Sequence, residues 1–178
     1  MKLADLRLKY TQFAPRYDEA FADRQRPKFE QLAARLPSPM PNPALDLGAG
    51  TGLAGRILGV DFVMLDASRA MLEFAEGRRV QGAFDALPFA DDSFALIWAV
   101  TALTEFTDPV PVLGEMARVC RPGGYLALTL LKQDDVVTAE AVLTDLGFVL
   151  EERYDFGQEF GYIGRFRPSD VAGGGALW

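Results

Sequence analysis

Residues 45–55 read LDLGAGTGLAG and form the densest run of glycines in the first half of the chain. An acidic residue, Asp46, stands just ahead of the first glycine. Glycine has no side chain, so such a run lets the backbone turn tightly and lets a ligand approach the main chain closely. We therefore expect a ligand-binding loop here, between the short apolar strand ALDLG and a helix that begins in LAGRIL.

Two motifs overlap in this loop. Gly50, Gly52 and Gly55 spell G-x-G-x-x-G, which is typical of dinucleotide binding. Asp46 and Gly48, with the same first two glycines, spell D-x-G-x-G-x-G. A dinucleotide places its pyrophosphate at a helix N-terminus, and a nearby carboxylate would oppose that anion. A ligand with an ammonium or sulfonium group would instead be attracted, so electrostatics favours the second motif.

Apolar runs with strand character alternate with helical patterns after this loop. The next expected strands are DFVMLD, VQGAF, FALIWAV and YLALTLL, and the expected helices are SRAMLEFAEG, VPVLGEMARVC and AEAVLTDLG. FVLEERYDF and FGYIGRF lie close enough to form a hairpin around Gly157. This order predicts an α/β fold: a doubly wound, Rossmann-like, mostly parallel seven-stranded sheet with a C-terminal antiparallel hairpin and helices on both faces.

The chain divides into three expected parts. Residues 1–40 form a helical cap and a proline-rich linker, because PSPMPNP places four prolines between residues 37 and 43 after a helical pattern. Proline at that density is incompatible with a helix or a central strand. Residues 41–168 form the main ligand-binding body, and residues 169–178 form a C-terminal tail.

Composition excludes several classes of function. The chain has 178 residues, 49% of them hydrophobic, which suits one domain with a sizeable core. It has no histidine and a single cysteine, Cys120, so we expect no metal site, no disulfide and no histidine-dependent hydrolase mechanism. A net charge of −7 disfavours a nucleic-acid partner. Long apolar runs and a secretion signal are lacking, so we expect no membrane span and a cytoplasmic location.

The stretch ALDLGAGTG resembles the first motif of the class I S-adenosylmethionine-dependent methyltransferases. Three further features resemble landmarks of that family in the same order: Asp66 at the end of the second strand, FDALPFADDSF at residues 84–94, and EMARVCRPGGYLALT at residues 115–129. FAPRYDEAF, at residues 13–21, resembles the N-terminal segment of a small-molecule subgroup similar to the quinone-biosynthesis C-methyltransferases.

The resemblance implies S-adenosylmethionine as cofactor and S-adenosylhomocysteine as its product. The acid and glycines of the first motif would hold the methionine portion, and Asp66 would accept both ribose hydroxyls. Asp85 would accept from the adenine amino group, while the Ala86 N–H would reach a ring nitrogen. The full expected set of cofactor-binding residues is Asp46, Gly48, Ala49, Gly50, Gly52, Asp66, Ala67, Met71, Asp85, Ala86, Trp98 and Tyr17.

The reaction implied is an in-line transfer of the activated methyl group to a small-molecule acceptor, for which positioning can supply much of the acceleration. We expect aromatic side chains around the methyl group, with Trp98 at the end of the fourth strand, on the rim of the site. Glu105, in the loop that follows, is the expected general base, and Tyr17 is a second catalytic candidate. The expected acceptor-binding residues are Tyr10, Phe13 and Phe106.

Only KQDD separates the fifth strand from the next helix, so the N-terminal helices would have to roof the pocket. Three alternatives stay open: a cofactor-binding protein or sensor without catalysis, a nicotinamide-dependent oxidoreductase, and, less favoured, a nucleic-acid methyltransferase. The last would carry an Asn-Pro-Pro-Tyr-like segment where this chain reads WAVTAL. The identity of the acceptor, the atom methylated and the choice between monomer and homodimer also stay open.

Overall fold

The computed structural model describes residues 10, 12–103, 109–132 and 136–168. A short 3-10 turn, Ala14–Arg16, leads into the first helix. The helices and strands are α1 (Tyr17–Ala33), β1 (Ala44–Leu47), α2 (Leu53–Leu58), β2 (Val63–Asp66), α3 (Arg69–Leu72), β3 (Arg78–Gln81), β4 (Phe94–Leu103), α4 (Val110–Val119), β5 (Cys120–Leu131), α5 (Val136–Asp145), β6 (Phe148–Asp155) and β7 (Glu159–Phe166).

The seven strands form one sheet in the order β3-β2-β1-β4-β5-β7-β6. Strands β1 to β5 pair in parallel, and β7 runs antiparallel to both β5 and β6. The predicted Rossmann-like sheet with a C-terminal antiparallel hairpin is therefore confirmed. None of the helices within the described ranges is long and apolar enough to cross a membrane.

Helices cover both faces of the sheet, and each face has its own apolar cluster. Helices α1, α2 and α3 pack on one face, in a cluster that includes Phe29, Leu53, Leu72, Trp98 and Ile163. Helices α4 and α5 pack on the other face, in a cluster that includes Leu45, Ile97, Val112, Met116 and Leu143. Burial on both faces explains why the central strands read as continuous apolar runs rather than alternating ones.

The third strand and the third helix differ from their sequence-based predictions. The third strand is Arg78–Gln81, earlier in the chain than the predicted VQGAF, and it pairs in parallel with β2. The helix predicted over SRAMLEFAEG has α-helical geometry only over Arg69–Leu72. Beyond it the backbone turns more tightly, because the N–H of Phe74 bonds the carbonyl of Met71 rather than a carbonyl four residues back.

The strand order places a crevice between β1 and β4. Chain order reverses there, since β2 and β3 lie on one side of β1 while β4 and β5 lie on the other. In open α/β sheets a ligand binds beyond the carboxyl ends of the strands at such a reversal. The glycine loop after β1 and the end of β4 both lie at this position.

Candidate active site

The glycine loop requires glycine for two separate physical reasons. Gly48, Gly50 and Gly52 all have positive φ angles, of 80°, 56° and 75°, which only glycine adopts without strain. Space is also restricted, because a Cβ atom on Gly48 would lie 2.5 Å from the Cβ of Ala102. The loop is therefore closely packed against the end of β4. At its three glycines no side chain covers the main chain.

Backbone hydrogen bonds fix this loop against the end of β2. The N–H of Gly48 donates to the carbonyl of Leu65 at 2.8 Å. The N–H of Gly50 donates to Oδ2 of Asp66 at 2.8 Å, and the N–H of Ser68 donates to Oδ1 of the same side chain at 2.7 Å. Each carboxylate oxygen of Asp66 therefore accepts from a backbone N–H, and these two bonds orient the side chain at the end of β2 beside the loop.

The segment after Asp66 adjoins the same loop. Ser68 caps α3, because its Oγ accepts a hydrogen bond from the N–H of Met71 at 3.4 Å. Met71 is buried, and its Cε would lie 3.0 Å from a Cβ atom on Gly50. Ala67 lies between the carboxylate and this cap, so Ala67 and Met71 are placed beside the loop.

Asp46 is a buried carboxyl group whose Oδ2 has no hydrogen-bond partner among the described residues. It lies level with Met64 on β2 and Trp98 on β4, within the face covered by α1 to α3. Burial, together with the charge of Asp66, raises the pKa of Asp46 to about 8. A buried acceptor without a donor is costly, and a cationic donor from a ligand would satisfy it.

Helix α1 is attached to the glycine loop by Asp18. This carboxylate accepts hydrogen bonds from the Thr51 hydroxyl and from the Arg56 guanidinium of α2. Arg56 also donates to the carbonyl of Thr51. The sequence gives no indication of the part played by Thr51 and Arg56, because the contacts join residues more than thirty positions apart. They place the start of α1 over the loop.

Tyr17, the first residue of α1, lies among aromatic side chains and close to the acids of the loop. Its ring centroid is 4.9 Å from that of Phe21 and 6.4 Å from that of Tyr10. Burial, with smaller effects from Tyr10 and Asp66, raises the pKa of the Tyr17 phenol above its ordinary value. Tyr17 therefore stays neutral and remains a hydrogen-bond donor. Phe13 lies on the outer side of this group, 5.6 Å from Phe21.

Asp85 and Ala86 lie in an exposed turn after β3. The turn is held by a pair on α4 that sequence analysis did not identify. Glu115 accepts a hydrogen bond from the N–H of Leu87 at 2.6 Å, and Arg118 donates to the carbonyl of Leu87 at 3.0 Å. Arg118 and Glu115 also bond each other at 2.7 Å. The spacing of three residues between Glu115 and Arg118 on one helix predicts an ion pair between them. It does not indicate that the pair also binds the main chain of Leu87.

The prediction that Trp98 lies on the rim of the site is wrong. Strand β4 continues to Leu103, so residue 98 falls in its middle rather than at its end. The Trp98 side chain is fully buried, and its ring lies 5.8 Å from that of Phe29 and 6.1 Å from that of Phe62. Trp98 is therefore part of the core between the sheet and α1.

Several predictions concern residues outside the described ranges. Glu105 and Phe106, the expected base and an expected acceptor contact, fall in residues 104–108. The tail at residues 169–178 and most of the N-terminal segment before residue 12 also lie outside them.

Comparison with known proteins agrees with this geometry. Residues 45–128 match a family model described as a methyltransferase domain. The malonyl-[acyl-carrier protein] O-methyltransferase of Dechloromonas aromatica is 36% identical over 137 residues, which cover 72% of this chain and 51% of the relative. The demethylmenaquinone methyltransferase of Renibacterium salmoninarum is 34% identical over 127 residues, covering 65% of this chain and 54% of the relative. The chain thus spans about half the length of the curated relatives it matches.

A solved structure shares the fold. The S-adenosylmethionine-dependent methyltransferase from Thermotoga maritima superposes with a TM-score of 0.71 at 19% sequence identity, covering 89% of this chain and 98% of that one. Fold, loop and family model together define a Rossmann-like methyltransferase domain. Residues 45–128 form a domain of the class I S-adenosylmethionine-dependent methyltransferase family, whose cofactor is S-adenosylmethionine. The predicted family is confirmed, and the alternative of a nicotinamide-dependent oxidoreductase is not supported.

Proposed function

We propose that this protein transfers the methyl group of S-adenosylmethionine to a small-molecule acceptor by in-line displacement. The observation that carries the proposal is the buried Asp46 carboxyl group, whose Oδ2 lacks a partner among the described residues beside a glycine loop of bare main chain. An orphaned acceptor at this position fits a cationic amino acid better than it fits a pyrophosphate. When bound, S-adenosylmethionine supplies an activated methyl group on a sulfonium sulfur.

Different residues of this chain would bind different parts of the cofactor. Asp46 and the main chain of residues 48–52 would bind the amino-acid portion, with Ala49, Ala67 and Met71 packed around it. Asp66, whose two oxygens are fixed by backbone N–H groups, would accept the ribose hydroxyls. Asp85 and the N–H of Ala86 would bind the adenine edge.

The start of α1 would roof the site and position the acceptor. Tyr17 lies over the loop acids and stays protonated, so it can orient a polar group by donating a hydrogen bond. Tyr10 and Phe13 extend this aromatic surface away from the loop, and Phe106 and Glu105 remain predictions. The relatives support a small organic acceptor, because their names specify a malonyl group on a carrier protein and demethylmenaquinone.

Calorimetric titration with S-adenosylhomocysteine and with NADH tests the cofactor, and assays with phenols, amines and carboxylic acids test the reaction. We expect binding of S-adenosylhomocysteine alone, weakened in Asp46→Asn and unchanged in Asp61→Asn, an exposed acid elsewhere. Turnover of at least one acceptor class supports an enzyme. Saturable binding without turnover of any acceptor would instead favour a sensor, and undiminished binding by Asp46→Asn would overturn the assignment of this residue.

A further inference from the structure

A buried polar cluster lies between α1 and the carboxyl ends of β4 and β5. Lys28 and Glu159 form an ion pair at 2.8 Å, with only 8% and 5% of their surfaces exposed. Gln25, one helical turn before Lys28, is also buried. Thr101 on β4 and Thr129 on β5 complete the cluster. Buried charged side chains are uncommon in a protein core. Lys28 and Glu159 are not among the residues proposed to bind the cofactor, so that role does not account for their burial.

Thr101 connects this cluster to the glycine loop. Its φ angle of 60° is unusual for a residue with a branched side chain, and its N–H donates to the Thr129 hydroxyl at 2.7 Å. The next residue, Ala102, packs directly against Gly48. Strained backbone tends to persist at functional sites. Here the strained residue carries a half-buried hydroxyl, and its neighbour in sequence, Ala102, contacts the glycine loop.

The hydroxyl of Thr101 has capacity for one more hydrogen bond. Its Oγ1 accepts from the Lys28 ammonium at 2.7 Å. Its own proton can go to Oε1 of Gln25 at 3.2 Å or to Oε2 of Glu159 at 3.3 Å. A hydroxyl has one donor and two lone pairs, so one lone pair of Thr101 can accept from an acceptor molecule.

Methylation of a hydroxyl releases a proton, and this chain has no histidine to take it. We propose that Thr101 and Glu159 form the proton relay of the site, and hence that the acceptor is a hydroxyl compound. As the acceptor oxygen bonds to the methyl carbon, the carbon–sulfur bond breaks and its electron pair stays on sulfur. The acceptor proton passes to Oγ1 of Thr101, whose own proton passes to Oε2 of Glu159 and later to solvent. This inference rests on the proposed function.

Glu159 is fixed beside Thr101 by its neighbours. Its Oε2 accepts a hydrogen bond from the Lys28 ammonium at 2.8 Å. The Arg24 side chain of α1 donates to the Gln158 side chain, and the Lys132 main-chain N–H donates to the Gln158 carbonyl. These contacts place the Glu159 carboxylate within reach of the Thr101 hydroxyl.

Two variants of one residue test the relay by activity. Thr101→Val keeps the shape of the side chain and removes the hydroxyl, whereas Thr101→Ser keeps the hydroxyl. With phenol as acceptor at neutral pH, we expect Thr101→Val and Glu159→Gln to lose about 100-fold in kcat, and Thr101→Ser to stay near the wild type. With the more acidic 4-nitrophenol the loss shrinks, because that acceptor is largely ionised already. An equal loss with both phenols would indicate a structural role and overturn the relay.

A spectroscopic measurement gives a second readout without turnover. 4-Nitrophenol is added to the complex with S-adenosylhomocysteine in mild acid, where the phenol is neutral. We expect its absorbance band to shift to longer wavelength in the wild type and in Thr101→Ser, because the phenol donates a hydrogen bond to the side-chain hydroxyl at position 101. Thr101→Val should show no such shift while S-adenosylhomocysteine affinity is retained, and an equal shift in Thr101→Val overturns the relay alone. Wild-type binding of S-adenosylhomocysteine with no turnover of any acceptor overturns the proposed function, and the relay with it.

Discussion

The Asp18 carboxylate accepts a hydrogen bond from the Thr51 hydroxyl, which joins helix α1 to the loop after β1. Because this contact holds the helix that carries Tyr17, we expect Asp18→Ala to weaken S-adenosylhomocysteine binding about tenfold. The pair with Arg56 is partly exposed, so stability should fall by only about 0–1 kcal/mol. Calorimetry and thermal unfolding separate the two effects. Asp23→Ala, an exposed acid on the same helix, is the control, and equal affinities for the two variants would contradict this role.

Gly48→Ala should destabilise the protein more than a second glycine substitution with the same backbone strain. Gly48 and Gly123 have φ angles of 80° and 77°. A Cβ atom at Gly48 meets Ala102 at 2.5 Å, whereas one at Gly123 meets nothing within 4 Å. We expect about 1 kcal/mol of loss at Gly123 from strain alone and about 1–3 kcal/mol more at Gly48 from overpacking. Urea denaturation of both variants measures the difference, and equal losses would rule out the steric contribution.

Binding of S-adenosylhomocysteine should strengthen with pH because of Asp46. The pKa of Asp46 is about 8 in the folded protein, so the group is protonated at pH 6, and a cationic ligand favours its ionised form. Between about pH 5.5 and pH 7 the ligand ammonium stays charged, and affinity should rise by up to tenfold per pH unit with release of one proton. Calorimetry in buffers of different ionisation enthalpy measures that release. Asp46→Asn should show neither effect, and a pH-independent wild type would refute the linkage.

The same pKa affects the ligand-free protein in the opposite direction. Since the folded pKa of Asp46 lies above its unfolded value of about 4, the folded state holds the extra proton between about pH 4 and pH 8. The contribution of Asp46 to the free energy of unfolding is therefore present in acid and is lost as the pH rises through that range.

The buried ion pair should matter far more for stability than an exposed one on the same helix. Lys28→Met leaves Glu159 as an unpaired buried charge, for which we expect about 3–5 kcal/mol of destabilisation. Arg26→Met breaks an exposed pair with Glu30 and should change stability by about 0.5 kcal/mol or less. Replacing both partners, in Lys28→Met with Glu159→Leu, should recover much of the loss. Chemical denaturation measures all three, and similar values for Lys28→Met and Arg26→Met would contradict the burial argument.

The fold could be predicted from the sequence because buried parallel strands leave unmistakable apolar runs. The exception is β3, an edge strand whose residues Arg78, Arg79 and Gln81 are exposed. An exposed edge strand has no apolar pattern, so the sequence pattern instead indicates a strand over the more hydrophobic segment VQGAF. Trp98 was misplaced for a related reason. The apolar run FALIWAV suggests a strand that ends at residue 100, whereas β4 continues to Leu103.

The sequence could point to candidate site residues only where a short local motif contains them. The loop glycines, Asp46 and Asp66 follow a local pattern whose spacing carries the information. The pair of Lys28 with Glu159 joins residues 131 positions apart, and no periodicity connects them. Contacts of this kind depend on which distant segments pack together in the folded protein, so only the three-dimensional structure reveals them.

The direction of β7 has a consequence for how such a protein can be rebuilt. The parallel strands end on the side of the sheet where the glycine loop lies, whereas β7 begins there, which is why its first residue, Glu159, reaches Lys28. The hairpin of β6 and β7 thus brings a charged side chain from the C-terminal part of the chain to the end of the sheet that faces α1. In a hairpin grafted from another methyltransferase, the residue aligned with Glu159 would decide whether Lys28 keeps a buried partner.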